Sequence, residues 1–310
     1  MSRRRKPSIP HSDPYFIDSY EQLTIDDILE SMRAKGLAYL GKTILSGDIL
    51  EVSIYPENPV WKSKESEERA KASLPTRKEQ QNLNHRNTRL RISRLIHCNF
   101  TNNDIWVTFT YSPENMPEDI KRANEHLKNY FDRLRRYLKK NNLPDLKYIY
   151  VTEHVVNEAT GKLHVHHHVV MNVNDRDAAE TIWTMGGRTH SRRLQPDVDG
   201  SLEGLARYIA KPETKEGNRK GAKSYAFSKN LTKPKIDRAP GRLPGTRYKL
   251  SKKRVTEMAT SEQKAIAVFE EHYPDFKLID QPIVKFSDYT AGAFIYARMV
   301  KKPGKAHRRE

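Results

Sequence analysis

Three histidines, His164, His166 and His168, stand two residues apart in the segment Leu-His-Val-His-His-His-Val-Val-Met-Asn at residues 163–172. An extended strand sends alternate side chains to one face, so the three imidazoles project the same way and can close on one divalent cation. Further along, Leu205-Ala-Arg-Tyr-Ile-Ala-Lys211 sets Tyr208 and Lys211 three residues apart, on one side of a short helix. A strand that binds a cation and a helix that offers a phenol beside an ammonium are what metal-dependent nicking of DNA by a tyrosine needs. The competing reading of the histidines is a solvated or tag-like cluster. A tag stands at a terminus, whereas this run lies mid-chain and leads into Val169, Val170 and Met171.

The elements that must position these groups can be read from pattern. Ile105 to Tyr111 is rich in Thr, Val and aromatics, as a strand is. Pro117 opens a helix to about Asn141, with Ile120, Ala123, Leu127, Phe131, Leu134 and Leu138 as its core stripe. Lys128, Arg133, Arg136 and Lys140 lie on its outer face, solvated or against phosphates. Tyr148 to Glu153 is a second strand, and Asn157 to Gly161 supplies a turn into the histidine strand. That hairpin sets Glu153 across from a position between His164 and His167. A carboxylate beside imidazoles makes a mixed oxygen and nitrogen site suited to Mg²⁺ or Mn²⁺; the alternative is a strand-end charge in water. His154 and His167 point to the other face. A further helix, Asp177 to Met185, ends at Gly186-Gly187. On the tyrosine helix, Leu202, Leu205, Ala206 and Ile209 form the apolar stripe at about 100° per residue, and Tyr208 and Lys211 leave it. Gly204 leaves room one turn before the tyrosine. Tyr225, in the strand-like run Ser224 to Ser228, is the rival nucleophile. The order strand-helix-strand-strand-helix-strand is ferredoxin-like, an α+β core with an antiparallel sheet and flanking helices.

Trp106-Val-Thr-Phe-Thr-Tyr111, then His166-x-His168 before an apolar run, then Tyr208-x-x-Lys211, together resemble the HUH-superfamily rolling-circle replication initiators of small single-stranded DNA phages, bacterial plasmids and integrated elements. The resemblance covers about residues 100–235. It implies a strand of unassigned role, a metal-binding histidine pair and a nucleophilic tyrosine. His166 and His168 fit the pair because apolar residues follow the second directly; His164 is an extra. Carried over, Tyr208 would attack a phosphodiester of single-stranded origin DNA to give a 5′-phosphotyrosyl enzyme and a free 3′-hydroxyl. Lys211 would steady the developing charge. Glu153, His166 and His168, with His164 as a lesser candidate, would hold Mg²⁺ or Mn²⁺. The basic run after the helix, with Lys215, Arg219, Lys220, Lys223, Lys229, Lys233 and Lys235, would track the strand. Host helicase and polymerase would be partners.

Composition agrees. The chain has 310 residues and a formal net charge of +17, which suits a polyanionic partner. One cysteine, Cys98, excludes an intrachain disulfide framework and suits a reducing cytoplasm. No apolar run follows the basic start, and none is long enough to span a membrane. Three parts are expected: residues 1–99 as an accessory region, with a helix at Ile25–Ala34, a strand at Ile49–Ile54 and a mobile connector or exposed helix at Lys62–Asn87; residues 100–235 as the endonuclease domain; and residues 236–310 as a second accessory region, with a loop at Pro240–Gly245, a helix at Glu262–His272 and a basic tail. Gly36-Leu-Ala-Tyr-Leu-Gly-Lys-Thr43 matches the phosphate-loop pattern letter for letter. It lies between a helix and a strand, the reverse of what that loop requires, and is read as part of a strand. Two alternatives stay open: another HUH enzyme, a relaxase or single-strand transposase, and a non-enzymatic basic nucleic-acid-binding protein with a histidine metal site.

Overall fold

The structure, a computed structural model, describes residues 25–72, 77–156, 163–198, 200–209, 225–287 and 289–303. Their elements run α1 (Ile25–Arg33), β1 (Tyr39–Ser46), β2 (Ile49–Pro56), α2 (Lys64–Ala72), α3 (Arg77–Asn99), β3 (Ile105–Phe109), α4 (Ile120–Lys140), β4 (Tyr148–Val156), β5 (Leu163–Met171), α5 (Arg176–Thr181), β6 (Thr189–Arg193), α6 (Glu203–Ile209), β7 (Ala226–Phe227), β8 (Lys235–Pro240), α7 (Lys252–Thr260), α8 (Glu262–His272), β9 (Phe276–Leu278), β10 (Ile283–Phe286) and β11 (Ala293–Lys301). The class is α+β, with antiparallel sheets and flanking helices.

The chain divides into two compact units, one of residues 84–233 and one that joins the chain up to 83 with the chain from 234 on. This corrects the expected division at 99/100 and 235/236 into a central domain with two separate accessory regions. The regions are halves of one unit because their strands pair: β1 pairs with β8, and β2 with β11, in the sheet order β10-β11-β2-β1-β8 with β9 added on β11. Met32, Val52, Ile54, Val255, Met258, Phe269 and Ile295 share its core. Within it, residues 39–43 of the phosphate-loop-like segment lie in β1, as expected of a strand, and residues 36–38 precede it. Its Gly41 has a local reason: an added Cβ would run into the carbonyl oxygen of Arg242 and stand 2.9 Å from Pro244.

In the unit of residues 84–233, β3-α4-β4-β5-α5-β6 follow the expected strand-helix-strand-strand-helix-strand order, and the sheet order is β6-β3-β5-β4-β7. The helix α4 starts at Ile120, three residues after Pro117, because the Asp119 carboxylate caps it by accepting the Arg122 N–H at 2.7 Å. Its residues Ala123, Leu127, Tyr130, Phe131, Leu134 and Leu138 are buried with Val107, Phe109, Val165 and Val169 on one face of the sheet. On the other face Ile149, Val151 and Val170 join Ile92, Leu95, Ile96 and Phe100 of the α3 region, Leu202 just before α6, and Ala206 and Ile209 within it. The stretch expected as a mobile connector or exposed helix is helical over residues 64–72 and from residue 77 on. The apolar triplet Ile92, Leu95 and Ile96, at helical spacing, seats the end of α3 on the sheet. The helix α5 stops at Thr181 rather than Met185, and Trp183 turns inward to donate its indole N–H to Thr110 O at 2.8 Å.

Candidate active site

Cross-strand register builds the site. In β4 and β5, Val151 lies opposite His168, Glu153 opposite His166, and Val155 opposite His164. Glu153 therefore falls within the expected window, on the face that carries all three histidines. The turn itself, residues 157–162, lies outside the described residues. On the other side of β5, Thr108 of β3 lies opposite His168, and Trp106 lies opposite Val170.

His168 is held from three directions. Its Nδ1 stands 3.0 Å from the Thr108 hydroxyl, and its Nε2 stands 3.2 Å from Glu153 Oε2. The Trp106 ring stacks on the imidazole with centroids 5.3 Å apart and planes 8° from parallel. A carboxylate only accepts, so Nε2 donates to Glu153, and in the neutral ring the Thr108 hydroxyl then donates to Nδ1. The same hydroxyl can accept from Nδ1 if the proton moves there, which would free Nε2 as a ligand. His168 is buried, whereas the Glu153 side chain is 42% exposed, so the pair opens toward solvent.

Tyr208 completes the corner. Its ring meets His168 edge-on at 5.4 Å and Trp106 edge-on at 5.3 Å, while the residue stays 47% exposed. Partial burial raises the phenol above its ordinary range, and the Glu153 charge raises it further. The helix α6 is fastened at its start: Asp197 Oδ2 accepts the Gly204 N–H at 2.7 Å, and His97 Nε2 accepts the Leu202 N–H at 2.9 Å. Gly204 was expected to leave room for the tyrosine. Asp197 takes up that space instead, and its Oδ1 would be 2.7 Å from an added Cβ.

The remaining candidates separate. His166 is exposed on the site face; burial, followed by the neighbouring His168, lowers it below the ordinary imidazole range and favours the neutral ring a metal requires. His164 is exposed one row further out. His167 is fully buried on the opposite face, between Tyr111 Oη at 2.8 Å and Thr152 Oγ1 at 2.9 Å, and burial lowers it to about 3. His154, opposite Val165, shares that face. Tyr225 packs beside Phe227 at the β7 end of the sheet, two strands from His168, or roughly 10 Å at the usual strand spacing. Lys211, Lys215, Arg219, Lys220 and Lys223 lie outside the described residues; Lys229 and Lys233 are exposed after β7, and Lys235 is exposed in β8.

Among the described residues no group of three or more His, Cys, Asp or Glu side chains is arranged to hold a metal ion. The donors nevertheless suit one: two imidazoles and a carboxylate share a face in adjacent register positions. The 3.2 Å between His168 Nε2 and Glu153 Oε2 is close to the roughly 3 Å that separates neighbouring ligands of an octahedral Mg²⁺.

Sequence reasoning did not assign Trp106 and Thr108 their roles, although both lie in the motif strand and alternate at the spacing of one face. It also missed β6. In register, His190 lies beside Thr108 and Arg192 beside Trp106, so these two exposed residues join the site face, and Arg192 Nε donates to His190 Nε2 at 2.7 Å. The signal was present as the alternation His190-x-Arg192.

Residues 104–216 match the family model for the replication-associated protein ORF2. The matched segment takes in β3, β5 and α6, and with them Trp106, His166, His168 and Tyr208. It agrees with the resemblance to rolling-circle initiators and covers a little over a third of the chain. No curated protein and no solved structure matches the chain.

Proposed function

We propose that this protein is a rolling-circle replication initiator that nicks and rejoins single-stranded origin DNA through Tyr208. The observation that carries the reading is the corner formed by Tyr208, His168, Trp106 and Glu153 within the replication-associated segment. The Tyr208 oxygen attacks phosphorus, and a Tyr–O–P bond forms as the bond from phosphorus to the 3′-oxygen breaks. The leaving oxygen keeps the electron pair and takes up a proton, matching the one the phenol gives up. The adduct keeps the phosphodiester energy, so a 3′-hydroxyl can reverse the step without ATP. His166, His168 and Glu153 would hold Mg²⁺ or Mn²⁺, with His164 as a lesser candidate. Such an ion, when bound, would polarise the scissile phosphate and offset the Glu153 charge that opposes the phenolate. Lys211, two residues beyond α6, is the proposed cationic aid, and Lys215, Arg219, Lys220, Lys223, Lys229 and Lys233 the strand-binding track. Unwinding and extension fall to a host helicase and polymerase in the bacterial cytoplasm. No helix among the described residues is long and apolar enough to cross a membrane.

The test is a denaturant-resistant adduct on a labelled single strand carrying the origin, formed with Mg²⁺ or Mn²⁺ and suppressed by EDTA. Peptide mapping should place the nucleotide on Tyr208, and Tyr208→Phe should abolish it. His166→Ala and His168→Ala should lose cleavage and keep strand binding, because basic surface supplies the binding. An adduct on Tyr225, or undiminished cleavage in EDTA, overturns the reading. Failure to form any adduct, with zinc bound by the histidines, would favour a non-enzymatic binding protein.

A further inference from the structure

We propose that β6 is a phosphate-binding edge of the site, where Arg192 and His190 hold the backbone of single-stranded DNA beside Tyr208. The inference rests on the nicking reading for its purpose but on separate residues for its evidence. The strand β6 is the outer strand next to β3. Its alternate residues divide cleanly. Ser191 is fully buried on the α5 side, tied to Arg176 at 3.0 Å and to Glu180. Arg193 is spent on structure, since its guanidinium donates to the carbonyl oxygens of Asn174 and Asn103.

His190 and Arg192 point the other way, in the rows of Thr108–His168 and Trp106–Val170. Both are exposed. Arg192 donates to His190 Nε2, so that ring carries its proton on Nδ1 and presents it as a donor. The guanidinium uses Nε for this bond, and its terminal nitrogens have no hydrogen-bond partner among the described residues, a fork that suits two phosphate oxygens. A chain of +17 needs no special residue to attract DNA in general. What distinguishes this pair is position: it lies one strand from Trp106 and two from His168, the residues that touch Tyr208, so a phosphate held there is a neighbour of the one attacked.

The test uses the full chain with Tyr208→Phe, which cannot trap DNA covalently, and a fluorescein-labelled oligothymidylate titrated over a range of potassium chloride concentrations. Adding Arg192→Ala should weaken binding on the order of tenfold and lower the slope of log affinity against log salt by about 0.7, one phosphate's worth for a single strand. Arg192→Lys should restore the slope without the full affinity, because charge returns without the fork. Lys139→Ala, on α4 across the sheet, removes the same charge and should leave the slope unchanged. Equal slopes for Arg192→Ala and Lys139→Ala overturn the proposal, even if wild-type protein forms the tyrosyl adduct. A lowered slope with no adduct from wild-type protein would retain the phosphate edge and sink the nickase.

Discussion

His168 is constrained by four groups from three other elements: Thr108 and Trp106 from β3, Glu153 from β4 and Tyr208 from α6. The Thr108 hydroxyl is the least replaceable, because it can serve either ring tautomer. Thr108→Val keeps the shape and removes the hydroxyl, so Nδ1 is left without its partner. If His168 ligates a cation, that variant should bind Mn²⁺ about 10–100-fold more weakly by calorimetry, while retaining strand binding. An unchanged Mn²⁺ affinity would show that Thr108 only fills space.

At the scale of elements, α6 is short, and isolated helices of that length do not persist in water. It is held by the burial of Leu202, Ala206 and Ile209 and by the cap from Asp197. Asp197→Ala should cost about 1 kcal/mol, seen as a fall in melting temperature of about 2–4 °C. The loss of adduct formation should exceed what that shift alone would cause, since the start of the helix governs where Tyr208 stands. Activity falling only in step with the unfolded fraction would deny the cap a positioning role.

For the whole molecule, the unit that joins the two ends of the chain depends on non-local pairing. Truncation after residue 233 removes β8 through β11 and strips both partners from the β1–β2 hairpin, uncovering Val52 and Ile54. Exposed, unpaired edges of that kind aggregate. The truncated chain should therefore be insoluble, or should lose hydrogen-exchange protection across residues 39–56, whereas protection there equal to that of the full chain would show that the hairpin stands alone. Both units also contain a buried tyrosine raised by burial, Tyr39 in one and Tyr130 in the other. A raised pKa means the folded state holds its proton longer than the unfolded state. That contribution is complete below about pH 10 and is lost as pH climbs past it. Tyr39→Phe and Tyr130→Phe should each flatten the alkaline fall in melting temperature; identical pH profiles would refute this.

Local pattern carried much of the architecture. The alternation of the histidine strand, the stripe of α4 and the tyrosine helix were legible because periodicity along a chain is set by backbone geometry alone. So was Glu153 opposite the histidines, because a hairpin fixes register over a short loop. What needed tertiary structure was everything decided by contacts distant in sequence. The union of residues up to 83 with those from 234 on depends on β1–β8 and β2–β11 pairing, which no local period encodes. The purpose of Gly204 lies in Asp197, and the use of Thr108 and Trp106 lies in a ring sixty residues away in β5. The sequence could name a histidine, a carboxylate and a tyrosine; only packing across the sheet could bring Tyr208 edge-on to His168 and set Arg192 in register with Trp106.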